Sequence, residues 1–339
     1  MEKHPGSEIL FVGALGKMEM QKVPEAGYKI KGLPVAGLQR SLSLENLKFP
    51  FKLLKSLTQA SQIIKDFNPD AVVGVGGYAS GPVLYAAQRK GIPTLVQEQN
   101  SYAGLTNKIL AKRAKKICVA YPEMDRFFPA QRIAYTGNPV RKDILDLSGK
   151  REKALTHFGL DPAKKTLLIL GGSLGARTLN QAVLKDMQKL EGEGYQVLWQ
   201  CGKFYFQEMK SKLADSGLKS IHLNEFIREM DLAYAAADVI VSRAGALSVS
   251  ELSLVGKPVI FIPSPNVAED HQTKNAMAYV SHEAALLLKD SEAVGALEQE
   301  VTRLMMDSSL SGSLGRNIKN LAKPYAANAI VEEVEQLIA

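Results

Sequence analysis

PDAVVGVGGYASGPVLYAAQRKGIPTLVQEQN, residues 69–100, and ADVIVSRAGALSVSELSLVGKPVIFIPSPN, residues 237–266, share one layout. Each runs from an Asp through a short apolar stretch to a glycine corner, then a helix-like stretch closed by glycine. An x-Pro step follows, then a second apolar strand and an Asn. Gly91 and Gly256 suit the position after a helix, and Pro93 and Pro258 stop the helix from continuing. Apolar runs without alternation, such as TLLIL and PVIFIP, read as strands covered on both faces. Strand–helix alternation of this kind predicts parallel sheets in an α/β fold.

The repetition extends further. EILFVGALGKMEM (8–20) lines up with QVLWQCGKFYFQEM (196–209), a strand followed by Gly and Lys. The second of these is preceded by a strand, a glycine-rich turn and a helix, in TLLILGGSLGAR and the residues after it. Nothing equivalent precedes the first. Two similar doubly wound domains are therefore expected, the first lacking its first strand–loop–helix unit. The expected division is 1–142, 143–320, and a closing helix in 321–339 packing back on the first domain. The seam falls near GNPVRKDILDLSGK (137–150), where turn formers and charges replace the apolar pattern.

At 339 residues, with 46% hydrophobic and 23% charged residues, the chain has the composition of a globular protein with two domains. No apolar run reaches the ~20 residues of a membrane span, and MEKHPGSEILFVG has no signal-peptide layout. Cys118 and Cys201 are isolated and read as core residues. The five histidines form no metal-ligand spacing; His282-Glu283 lacks the second His of a zinc helix, so no metal is expected. The net charge of +7 favours anionic partners. No nucleic-acid module is visible, and the basic run from Lys108 to Lys116 reads as a solvated helix face.

Four places invite ligands. GGSLGAR (171–177) is a glycine-rich turn between a buried strand and a helix, where backbone N–H groups approach an anion and Ser173 adds a hydroxyl. In SRAGALSVSE (242–251), Ser248 and Glu251 have the spacing of a capping box. The small residues before them equally keep a strand end open for a ligand, with Glu251 suited to a ribose diol. Both readings stand at this point. Gly74-x-Gly76-x-x-Ala79 with Glu98 matches a dinucleotide fingerprint. A dehydrogenase would leave the second domain's glycine corners without a role, so a close-approach corner is preferred. Asn138-Pro139-Val140-Arg141 is a turn at the seam that offers an arginine to a phosphate.

GGYASGP, QEQNSYAG, TGNPVR, LGGSLGAR, SRAGALSVSE and EDHQTKNA, in that order, resemble the MurG family of bacterial glycosyltransferases. The similarity runs from Ile9 almost to the C-terminus. It implies a GT-B architecture, two Rossmann-like domains facing a cleft. It also implies inverting transfer of N-acetylglucosamine from UDP-N-acetylglucosamine to undecaprenyl-diphosphate-linked muramyl-pentapeptide, without a cofactor.

Carried over by motif, the donor contacts would be Asn100, Arg141, Ser173, the backbone of Ile227, Ala246, Leu247, Ser248, Val249, Ser250, Glu251 and Gln272. The resemblance further implies an enzyme peripheral to the cytoplasmic face of the inner membrane. The family's opening GGTGGH-type loop has no counterpart here, and His4 has no glycine loop around it. Donor binding with poor or no turnover is therefore expected. The alternatives are a silent UDP-sugar-binding protein, or a GT-B transferase or epimerase with another substrate.

LQRSLSLENLKFPFKLLKSL (38–57) mixes Leu42, Leu44, Leu47, Phe49, Phe51, Leu53 and Leu54 with Arg40, Lys48, Lys52 and Lys55. It is read either as a segment lying on an anionic membrane surface or as a core-facing helix with a basic edge.

Overall fold

Residues 3–35 and 49–339 are described in the computed structural model. Contacts divide the chain into two units: Met1–Gln99, Ala103–Thr136 and Asn328–Ala339 form unit 1, and Asn100–Tyr102 with Gly137–Ala327 form unit 2. The sequence reading drew its boundaries at 142/143 and 320/321. The earlier break has a local cause, since the Asn138 amide donates to Ser250 Oγ of unit 2 at 3.0 Å and Ile144 is 1% exposed.

Unit 1 contains Leu10–Ala14 (β1), Glu19–Glu25 (α1), Lys29–Leu33 (β2), Phe49–Phe67 (α2), Val72–Gly74 (β3), Gly77–Arg89 (α3), Thr94–Glu98 (β4), Leu105–Ala111 (α4), Lys116–Val119 (β5) and Ile133–Tyr135 (β6). All its strand pairs are parallel, in two sheets ordered β2-β1 and β3-β4-β5-β6.

Unit 2 holds Arg151–Phe158 (α5), Thr166–Leu170 (β7), Arg177–Gly192 (α6), Gln196–Gln200 (β8), Phe206–Ala214 (α7), Ile221–Asn224 (β9), Met230–Ala236 (α8), Val239–Ser242 (β10), Ala246–Val255 (α9), Val259–Phe261 (β11), His271–Val280 (α10), Leu286–Leu287 (β12), Ala293–Met306 (α11) and Ser308–Asn320 (α12). The last helix, Ala326–Ile338 (α13), contains the Ala327–Asn328 division. Its unit 1 portion is tied by Glu333 to Lys116 at 2.6 Å and by Glu335 to His4 at 2.7 Å.

Unit 2 explains itself from its strands. Every residue of β7 and β8 is buried, as the unbroken apolar runs require. The sheet order is β12-β11-β10-β7-β8-β9. Counted within the unit, that is strand order 6-5-4-1-2-3, the doubly wound arrangement, and its direction reverses between β7 and β10. Helix α6 buries Leu179, Ala182, Val183, Met187 and Leu190, the stripe of an amphipathic helix. Its Asn180 is buried too, but satisfied: it accepts from Trp199 Nε1 at 3.1 Å and donates to the Cys201 carbonyl at 2.9 Å.

Unit 1 differs from unit 2 at the centre of the sheet and at its edge, where β6 has no counterpart in unit 2. In unit 2, β7 stands between β8 and β10. Among the described residues of unit 1, no strand stands between β1 and β3, the counterparts of β8 and β10. Phe11 on β1 is 39% exposed and Val73 on β3 is 40% exposed, whereas β7 and its neighbours are buried.

Cys118 and Cys201 are fully buried free thiols, each pushed up to about 11 by burial. Glu98, the acid of the dinucleotide fingerprint, is 2% exposed. Its Oε2 accepts from the Gly104 N–H at 3.1 Å and from Asn107 Nδ2 at 2.7 Å, so it organises the entry to α4.

Two glycines hold the β7–α6 and β8–α7 loops together. Gly175 has φ +95° and Gly202 φ +84°, and they lie backbone to backbone. A Cβ on Gly175 would meet the Cys201 carbonyl and the Tyr205 ring. Gly175→Ala is expected to cost about 3 kcal/mol from left-handed strain plus overpacking. Thermal unfolding checks this, and an unchanged midpoint would contradict it.

Candidate functional site

The parallel pairing of β7 with β10 sets Leu170 opposite Ser242 at the C-terminal ends of both strands. Their outgoing loops, Gly171–Ala176 and Arg243–Gly245, therefore leave from adjacent rungs, about 4.8 Å apart. Each loop feeds a helix. Both border one cavity of about 660 Å³, within the usual range for a small-molecule site. It lies at the strand ends where the winding reverses, the place open α/β sheets bind ligands.

The loop after β7 turns through Gly172 at φ +81°, where a Cβ would meet nothing, so the glycine serves backbone geometry and leaves the space open. Ser173 is exposed and lines the cavity. Across from it, α9 begins at Ala246 after Gly245, and neither α6 nor α9 has a side-chain cap. The first N–H groups of each helix thus have no partner within the helix, and both carry the positive end of a helix dipole.

The capping-box expectation for Ser248 and Glu251 is corrected here. Gly245 is the N-cap, Ser248 lies inside the first turn and lines the cavity, and Glu251 lies beyond it. Glu251 is engaged elsewhere: Tyr234 Oη donates to its Oε2 at 3.0 Å, and Arg141 Nε stands 3.3 Å from its Oε1. The turn at 138–141 makes this possible, because Asn138 anchored on Ser250 sets Arg141 beside the next residue of α9.

The other expected residues fall into four groups. Gln272, at the start of α10, lines the cavity; its carbonyl oxygen accepts the Ser264 N–H at 2.9 Å, which leaves its amide N–H₂ as the donor. On α9, Ala246 and Leu247 form the first turn. Val249 is fully buried, and Ser250 Oγ donates to the Ala246 carbonyl at 3.0 Å, so these two support the helix. Asn100 accepts from Asn275 at 3.1 Å, and the Ser101 N–H donates to the same Asn275 at 2.9 Å.

Ile227 is 2% exposed, and its N–H donates to Gln200 Oε1 at 2.9 Å. It borders a separate hollow of about 310 Å³, which is also lined by His157, His222 and Phe226. Burial holds the His222 imidazole below its ordinary pKa.

Sequence reasoning missed a network that fixes the cavity. Arg243 donates to the carbonyls of Ile262 at 2.9 Å and Pro263 at 3.2 Å, and pairs with Asp290. Asp290 also accepts from Thr178 at 2.8 Å. One arginine thereby ties the loops after β10 and β11 to the loop before α11, whose Asp290 reaches the start of α6. A polar residue beside a glycine corner was the only local signal for it. Among the described residues, no group of three or more His, Cys, Asp or Glu is placed to hold a metal.

The Glycosyltransferase family 28 N-terminal domain matches residues 3–119, and the C-terminal domain of the same family matches residues 166–329. A relative from Flavobacterium psychrophilum is 54% identical over 336 residues, covering 99% of this chain and 91% of its own length. One from Phocaeicola vulgatus is 56% identical over 337 residues, covering 99% and 90%. Both are named UDP-N-acetylglucosamine–N-acetylmuramyl-(pentapeptide) pyrophosphoryl-undecaprenol N-acetylglucosamine transferase.

The chain belongs to the MurG family.

The crystal structure of Acinetobacter baumannii MurG matches with a TM-score of 0.80 at 30% identity, over 98% of this chain and 92% of that one. The two parallel-sheet α/β units are thus those of a MurG-type GT-B glycosyltransferase. A UDP-N-acetylglucosamine 2-epimerase, with a TM-score of 0.66 at 18% identity, shares the fold. Against it, the MurG relatives match at three times that identity along the whole chain.

Proposed function

We propose that this chain transfers N-acetylglucosamine from UDP-N-acetylglucosamine to undecaprenyl-diphosphate-linked muramyl-pentapeptide, the reaction its relatives are named for. One observation carries the donor half of this reading. Two glycine corners and two uncapped helix starts border a single cavity at the β7/β10 strand ends. That cavity favours a diphosphate, because N–H groups and dipoles from two helices converge on it.

The residues divide the work by chemistry. Ser173 and Ser248 offer hydroxyls to phosphate oxygens. Glu251, an acceptor-only carboxylate, suits the two hydroxyls of a ribose. The Gln272 amide suits a sugar hydroxyl, its orientation set by Ser264. Arg141 and Asn100 complete the donor set. In the reaction, the acceptor's hydroxyl attacks the anomeric carbon and releases its proton to solvent, and the bond to the diphosphate breaks with its electrons going to UDP. Charge grows on the departing phosphate, where fixed N–H donors stabilise it without having to reorganise. Arg243 acts indirectly by holding three of the loops in place.

An acceptor carried on a lipid requires contact with a membrane surface. No helix among the described residues is long and apolar enough to cross one. We assign the contact to the start of α2, on the cytoplasmic face of the inner membrane. Phe51 is 75% exposed and Leu54 62% exposed, beside exposed Lys52 and Lys55. The buried side of α2 is built instead from Ser56, Ala60, Ile63 and Ile64. Phe51 and Leu54 therefore do not face the core, which favours the interfacial reading. Leu42, Leu44, Leu47, Arg40 and Lys48 lie outside the described residues. On α4, which like α2 packs against α3, Leu105 and Ile109 are 68% and 58% exposed.

Calorimetry with UDP-N-acetylglucosamine tests donor binding, and UDP release in the presence of lipid-linked acceptor tests turnover. Glu251→Ala is expected to weaken donor affinity about tenfold or more; an unchanged affinity would refute the assignment. In co-sedimentation with anionic vesicles, the Phe51→Glu, Leu54→Glu double variant should lose most of the bound fraction. Binding equal to that of the parent chain would remove the membrane assignment.

A further inference from the structure

We infer that Tyr234 is a positioning residue for nucleotide selection, fixing the Glu251 carboxylate so that both of its oxygens face a ribose diol. The inference rests on the reading of Glu251 as the ribose ligand and goes beyond it, to how a flexible acid is made selective. Tyr234 lies on α8, before β10, seventeen residues from its partner in sequence. It is 1% exposed, and its hydroxyl donates to Glu251 Oε2 at 3.0 Å. Burial first, and then the neighbouring carboxylate, push the phenol well above its ordinary pKa, so it keeps its proton and acts as a donor.

The geometry around the carboxylate is complementary. Tyr234 donates to Oε2, and the Arg141 guanidinium stands 3.3 Å from Oε1 as an ion-pair partner, so one oxygen is held by a hydrogen bond and the other faces a positive charge. A carboxylate has about four acceptor positions. At least one position on each oxygen is left for a hydroxyl, which matches a cis-diol donating two hydrogen bonds. The side chain of Glu251 is 16% exposed, so it is reached from one side only. The Arg141 side chain is 41% exposed, so the buried phenol is the more constrained half of the clamp. Without the phenol, the terminal torsion of Glu251 is broad, and the two-pronged contact would be made in only a fraction of orientations.

Tyr234→Phe removes one oxygen and keeps the ring. Its affinity for UDP-N-acetylglucosamine and for the 2′,3′-dideoxyribose analogue should be compared with that of the parent chain and of Glu251→Gln. The parent chain is expected to prefer the ribose form. Tyr234→Phe should lose about five- to tenfold on the ribose form and nothing on the dideoxy form, raising KM with kcat unchanged. Equal losses on both nucleotides, or full retention of the preference, would overturn the positioning role. A preference that survives in Glu251→Gln would instead refute the reading of Glu251 itself, a distinguishable failure. Should Tyr234→Phe not fold, 3-fluorotyrosine at 234 gives a second reading. Its ¹⁹F resonance should move on binding the ribose nucleotide and not the dideoxy one, and equal movement with both would overturn the proposal.

Discussion

The structure of unit 2 depends on one pairing, that of β7 with β10. Parallel register brings Leu170 level with Ser242, and a right-handed winding sends the chain to opposite faces of the sheet after each strand. Two helices must therefore start side by side, with their unpaired N–H groups turned to a common space. Bulky side chains at such a point would fill the space that a ligand needs. The chain answers with Gly171, Gly172 and Gly175 on one side and Gly245 on the other. Loop geometry, cavity shape and positive potential thus have a single origin in sheet topology.

Precision in that space comes from a second layer. Arg243 and Asp290 lock neighbouring loops, and Ser264 turns Gln272. Glu251 is steered by Tyr234 and approached by Arg141. Apart from the exposed Arg141, these are buried or half-buried polar groups, and each finds a partner, as burial demands. The consequence is a cavity whose donors are in place before a ligand arrives, which is the condition for electrostatic catalysis.

Much of this was legible in the sequence because it is local. Gly91 and Gly256 do follow helices, at φ +77° and +68°. The apolar runs are buried strands, and the repeated layout of 69–100 and 237–266 corresponds to two β-α-β units in parallel sheets. Among the described residues, no strand stands between β1 and β3 where unit 2 has β7. What escaped is non-local. Ser248-x-x-Glu251 has the spacing of a capping box, yet the helix starts three residues earlier because Gly245 turns the chain first. No spacing rule links Tyr234 to Glu251, or Arg243 to Asp290. Those contacts exist only once α8, α9 and the loop before α11 have packed. Ile227 shows the same limit from the other side: its N–H is committed to Gln200, a pairing that only the alignment of β8 with the loop after β9 creates.

The most direct test of this account is a crystal structure of the chain with UDP-N-acetylglucosamine bound. The diphosphate should lie between the 171–175 loop and the first turn of α9, with N–H to oxygen distances near ~3 Å and the ribose against Glu251. A donor bound elsewhere, with that cavity empty, would contradict the account.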